Sequence, residues 1–164
     1  MTHYRKQIDP ANFTLVIERS FAAPKATLWR VWSERDLLEK WWGPKEWPTR
    51  IHEFDFRVDG RWHYCMTGPD GTQAWGLAIY TDISPGIAIG YDDYFSDSNG
   101  GKDSALPAMK VHVEFVDAQR DTLVVTKSTF KRLEDLQKIV EMGFEQGFAS
   151  SGDKLDELLQ ALHA

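Results

Sequence analysis

The feature that most constrains this chain is its last fifth. From Leu133 the sequence reads as one amphipathic helix of about 30 residues. Leu136, Val140, Phe144, Phe148, Ser151, Leu155, Leu158, Leu159 and Leu162 fall on a single stripe. A stripe that long has to be covered by another element. Gly143, Gly147 and Ser151 lie four apart along it, where small side chains allow close backbone approach or leave room beneath the helix. Gly152 is the expected position of a bend.

The middle of the chain supplies the cover. Residues 51–58, 61–67, 75–83, 87–95, 109–116 and 123–130 alternate apolar and polar with a period of two, as half-buried strands do. Phe54, Phe56 and Val58 share one face, and Trp62, Tyr64 and Met66 share another. Gly68-Pro69-Asp70-Gly71 and Ser84-Pro85-Gly86 are hairpin turns between them. Before these strands, residues 13–19 read as a strand and Pro24 opens a first helix carrying Leu28, Val31 and Trp32. Ser33 with Asp36 resembles the N-cap of a second short helix that ends at Gly43-Pro44. Residues 1–11 read as a flexible leader, and residues 12–164 as a single domain. The expected fold is α+β: a curved antiparallel sheet of six to seven strands wrapped around a long C-terminal helix, with two short helices after the first strand.

Charge and cysteine usage narrow the function. The net charge is −6, with 19 Lys and Arg against 25 Asp and Glu, which disfavours a nucleic-acid or anionic-lipid surface. A single cysteine, Cys65, excludes an intrachain disulfide. The first ten residues lack an apolar signal core, and no run approaches the roughly 20 apolar residues of a membrane span, so a cytoplasmic location is expected.

No chemical motif stands out. His3, His52, His63, His112 and His163 have no metal-ligand spacing, and the three strand histidines alternate against the apolar positions, toward the outer sheet face. Cys65 shares that face with His63 but has no further partner of a nucleophilic site. Asp92 and Asp93 are adjacent on a strand, point to opposite faces and cannot act as a pair. Glu53, Asp55 and Arg57 read as a solvated charge ladder, and residues 96–105 as a mobile polar loop. We therefore assign no catalytic residue, metal or cofactor from sequence.

The chain resembles the bacterial relatives of the activator of heat-shock protein 90 ATPase, within the SRPBCC (START-like, helix-grip) superfamily, from about residue 13 to 162. The residues that carry the resemblance are Glu18-Arg19, Phe21, Ala23-Pro24, Trp29, Trp32, the Trp41-Trp42-Gly43-Pro44 unit, Asp55, Arg57, Gly60, Trp62, Met66, Pro69-Asp70-Gly71, Gly76, Pro85, Gly143 and Gly147. The chain departs from the pattern at Asp59-Gly60 and at Gly147-Phe148. The eukaryotic activators carry an additional N-terminal chaperone-binding domain, for which these 164 residues have no room. The resemblance implies a cavity between the sheet and the last helix. The aromatic surplus of 7 Trp, 9 Phe and 5 Tyr exceeds what a small sheet needs. The expected ligand-binding residues are therefore Trp41, Phe54, Trp62, Tyr64, Trp75, Tyr91, Phe144 and Phe148, with one of the Trp41-Trp42 rings inward and the other toward the cavity mouth or the surface. Three functions remain open: binding of a small apolar ligand, a chaperone-associated role in the stress response using an exposed patch at Trp41–Pro44 or Trp47-Pro48, and a cyclase- or hydrolase-like enzyme. A monomer and a homodimer fit all three.

Overall fold

The computed structural model describes residues 3–163. Eight strands form one antiparallel sheet: β1 (Tyr4–Asp9), β2 (Thr14–Phe21), β3 (Thr49–Phe54), β4 (Arg61–Thr67), β5 (Gln73–Ser84), β6 (Ala88–Ser96), β7 (Met109–Ala118) and β8 (Asp121–Thr129). Their spatial order is β1-β2-β8-β7-β6-β5-β4-β3. Two short helices, α1 (Lys25–Ser33) and α2 (Arg35–Trp41), carry the chain from β2 to the opposite edge, where β3 begins. The fold is the helix-grip arrangement expected, with one more strand than the upper count.

That extra strand lies in the segment expected to be a flexible leader. Residues 4–9 pair in register with β2, from Tyr4 opposite Arg19 to Asp9 opposite Thr14. All but the last of them are exposed, so the strand has no buried face and leaves no alternating pattern to read. It is held by backbone hydrogen bonds and by Tyr4 and Lys6, which meet Glu145 at 2.9 and 2.8 Å.

The terminal helix is also broken earlier than expected. It consists of α3 (Leu133–Glu141) and α4 (Phe144–Leu162), and the break falls at Met142-Gly143, where Gly143 takes φ +87°. That left-handed conformation is open to glycine at little cost. Gly152 instead stays helical and serves as a contact. A β-carbon there would sit 2.5 Å from Arg19 Nη1, and Arg19 reaches Asp153 and Asp156 at 2.8 and 2.7 Å. The second helix is capped at Glu34 rather than Ser33, whose hydroxyl donates back to the Trp29 carbonyl at 2.6 Å.

The concave face of the sheet carries two cores. The larger, under α1, α2 and the end of α4, contains Trp32, Trp41, Trp62, Tyr80, Phe115 and Leu155. The smaller, under α3, contains Leu15, Ile17, Phe130, Leu136 and Ile139. The convex face is itself covered at β4 and β5. There His63 and Cys65 are buried beneath the polar loop after β6. That loop, expected to be mobile, is tied down: His63 Nε2–H donates to the Asp97 carbonyl at 3.0 Å, and Arg61 Nη2 donates to that of Gly100 at 2.8 Å.

Candidate functional site

A cavity of about 280 Å³ lies between the two cores, under the break separating α3 from α4. Its origin is legible in one strand. The inward residues of β5 are Ala74, Gly76 and Ala78, each opposite a large inward residue of β4: Met66, Tyr64 and Trp62. The small residues leave space that the large ones do not fill. A β-carbon on Gly76 would run into the Tyr64 ring, so this glycine sets where that ring lies. The floor is Tyr64, Met66, Asp93, Phe95 and Met109. The helical wall is Ile139, Phe144, Gly147, Phe148 and Ser151, with the Phe144 and Phe148 rings stacked 5.7 Å apart. The third side is Trp42-Gly43-Pro44.

Gly43 makes that third side possible. It takes φ +88°, and a β-carbon there would meet the Trp47 carbonyl and Thr49 Oγ1 at 2.8 Å. The turn is strapped to α4 by Ser151 Oγ–H to the Trp41 carbonyl (2.8 Å), Lys154 Nζ to the Trp42 carbonyl (3.3 Å) and the Lys45 N–H to Ser150 Oγ (2.9 Å).

The residues expected to bind ligand separate into three groups. Tyr64, Phe144 and Phe148 line the cavity. Trp41, Phe54, Trp62 and Tyr91 belong to the adjoining core. Trp41 is spent on packing: its Nε1–H donates to the Val31 carbonyl at 2.9 Å, and its ring meets Trp32 at 4.9 Å. Phe54 packs on Phe56 and Tyr80, and Trp62 is 1% exposed. Trp75 borders the cavity through its place between Ala74 and Gly76, but its ring turns to the convex face. There it stacks on His63 at 5.0 Å and meets the tilted His52 ring at 4.8 Å. A bulge between Tyr80 and Asp82 puts Trp75, Leu77 and Ile79 out of phase with Ile83, so one alternation cannot be read through the whole strand. The tryptophan pair does divide: Trp42 lines the cavity and meets Trp62 at 4.6 Å.

The polar residue that sequence reasoning passed over is Asp93. Tyr91 faces inward, so a period of two places Asp93 inward as well, and this was the available signal. Asp92 points outward and pairs with Lys110 at 3.0 Å. Asp93 lines the cavity among mostly apolar side chains, and among the described residues no Lys, Arg or His shares that lining. Burial pushes its carboxyl up to about 7, offset only by the backbone N–H of Tyr94. The neighbouring phenols of Tyr64 and Tyr91 are pushed up as well, first by burial and then by the Asp93 charge. Among the described residues no three His, Cys, Asp or Glu side chains converge as a metal site, and no helix is long and apolar enough to cross a membrane.

A curved sheet gripping a broken C-terminal helix, with an apolar cavity between them, defines a helix-grip protein. The chain belongs to the family described as activator of Hsp90 ATPase homolog 1-like protein, whose profile matches residues 22–160. Among solved structures it is similar to a protein from Mycobacterium smegmatis, at 30% identity, covering 97% of each chain with a TM-score of 0.89. It is similar also to a protein from Arthrobacter aurescens, at 32% identity over 96% of this chain and 91% of that one, TM-score 0.90. A third, from Staphylococcus epidermidis, is 27% identical over 94% of each chain, TM-score 0.82. No curated protein matches the sequence.

Proposed function

We propose that this protein binds a small, largely apolar ligand in the cavity between the sheet and the broken terminal helix. The observation that carries this reading is the cavity's size and lining. The pocket of 280 Å³ is lined mostly by apolar side chains and open on one side, so it can admit a small molecule, and covering its wet apolar surface is favourable by roughly 25 cal/mol per Å². Small residues at Ala74, Gly76 and Gly147 keep the space open although larger apolar side chains would fill it.

The competing readings find less support. Of the two candidate chaperone-docking patches, Trp41-Trp42 is turned inward, with Trp41 3% exposed and Trp42 in the cavity wall, and at Trp47-Pro48 the Trp47 ring packs against Gly68, which leaves Pro48 as the exposed residue. Catalysis of a cyclase or hydrolase type calls for converging activated polar groups, whereas among the described lining residues the Ser151 hydroxyl is committed to the Trp41 carbonyl and burial holds the Tyr64 phenol protonated beside Asp93.

The test is native mass spectrometry of gently purified protein against its denatured mass, on wild type and on Gly147→Leu. Gly147 is helical and faces the cavity, with Pro44 Cγ 3.4 Å from where its β-carbon would be. Leucine there occupies the cavity and gains up to ~1 kcal/mol of helix propensity. Expected is a reproducible small-molecule mass on wild type that is absent from a folded Gly147→Leu. The same adduct on both proteins would refute the location, and a bare wild type that also takes up no apolar probe would refute the reading.

A further inference from the structure

We infer that the cavity selects an amphiphilic amine: an apolar, ring-containing body against Trp42, Phe144 and Phe148, with one protonated nitrogen set against the Asp93 carboxylate. This rests on the cavity-binding reading and adds the charge of the ligand to it.

The argument begins with an unbalanced charge. Among the described residues Asp93 is the one carboxyl in the cavity lining, and none of them adds a cation to that lining. Lys110, the basic residue across from β6 on β7, is engaged by Asp92 on the opposite face. Lys154, from α4, is turned to the Trp42 carbonyl. The titratable groups that do face Asp93 are Tyr64 from β4 and Tyr91 from β6, with Tyr80 of β5 behind Tyr91 at 6.2 Å. Helices α3 and α4 present no ionisable side chain to the cavity. A carboxylate in such a place lacks a counter-charge, and a buried charge is tolerated when it is paired.

A ligand can supply the missing partner. An ammonium opposite Asp93 would form a charge-assisted hydrogen bond with a carboxylate that is only partly screened by water. The rings of Trp42, Phe144 and Phe148 line the same cavity and supply apolar surface for the rest of such a molecule. An anionic ligand would meet repulsion with no compensating cation. A neutral ligand would leave the carboxylate unpaired. The preference should follow the carboxyl's ionisation: weak below pH 6, where Asp93 is mostly protonated, and nearly full at pH 8 and above, since its carboxyl titrates at about 7.

The test uses three probes that share one ring system: 1-naphthylmethylamine, 1-naphthylmethanol and 1-naphthoic acid, titrated by calorimetry at pH 5.5 and pH 8. Expected at pH 8 is amine binding tenfold or more tighter than the alcohol, with the acid weakest. At pH 5.5 the amine and alcohol should converge. Asp93→Asn should equalise them at both pH values, and Gly147→Leu should abolish binding of all three, which separates the cavity from general attraction of amines to a chain of net charge −6. Equal wild-type affinity for amine and alcohol at pH 8, a preference for the acid, or amine binding that survives Gly147→Leu each overturns the amine assignment. In the first two cases alcohol or acid binding leaves the cavity reading standing. If none of the probes binds, the amine assignment falls, and the native mass of wild type then decides the cavity reading separately: a small-molecule adduct keeps it, a bare chain removes it. The pH comparison on wild type holds whether or not Asp93→Asn folds.

Discussion

Replacing Asp93 by asparagine should stabilise the protein at pH 8 and leave its stability at pH 4 nearly unchanged. The carboxyl titrates at 3.8 in an unfolded chain and is pushed by burial up to about 7 in the folded one. Between those values the folded state holds a proton that the unfolded state releases. This group's contribution is therefore fully present below about pH 4 and is lost as pH rises through 7. At 1.4 kcal/mol for each tenfold change in proton affinity, the gap from 3.8 to about 7 corresponds to about 4 kcal/mol. The cavity is open on one side and water screens part of the charge, which brings the expected figure to about 2–4 kcal/mol. Asparagine matches the shape and never ionises. Urea unfolding of both proteins at pH 4, 5.5, 7 and 8.5 gives the comparison directly. The other carboxylates titrate in both proteins and cancel in the difference. That difference should grow from near zero to its full value between pH 4 and 8. A difference independent of pH would refute the argument, because it would mean that the carboxyl titrates alike in the folded and unfolded chain.

Two further substitutions test how the cavity is built. Gly76→Ala forces a methyl group into the Tyr64 ring, so thermal unfolding should show a loss of about 1–3 kcal/mol together with reduced uptake of apolar probes, whereas an unchanged melting temperature would mean that Tyr64 moves freely. Tyr80→Phe removes a hydroxyl that is buried with no hydrogen-bond partner, so stability should hold or rise by about 1 kcal/mol, and a loss exceeding that would reveal a partner such as an internal water.

The sequence revealed the parts whose pattern is set by one buried face. Strands β7 and β8 alternate cleanly because one side packs on the core, and the hairpins between β4, β5 and β6 are marked by Gly71 and Gly86, both at positive φ. The parts that were hidden lack that asymmetry. Strand β1 is exposed on both faces, so its pairing is invisible to hydropathy. Strand β5 is buried on both faces where it passes under the loop after β6: Leu77 on the convex side and Ala78 on the concave side are both 0% exposed. Large residues on such a strand do not announce which side is the core, which is how Trp75 reads as an inward residue when the inward set is Ala74, Gly76 and Ala78. The cavity follows from that inversion. A pocket is encoded by the residues that are small where the opposite strand is large, and by a glycine that lets a helix break above it. Reading aromatic residues alone finds the walls at Tyr64, Phe144 and Phe148. It misses the space between them, and it misses Asp93, whose inward direction was fixed by Tyr91 two residues before but whose type suggested the surface. A charged residue at an inward position of a strand is the stronger signal of function, because packing alone gives no reason to keep it there.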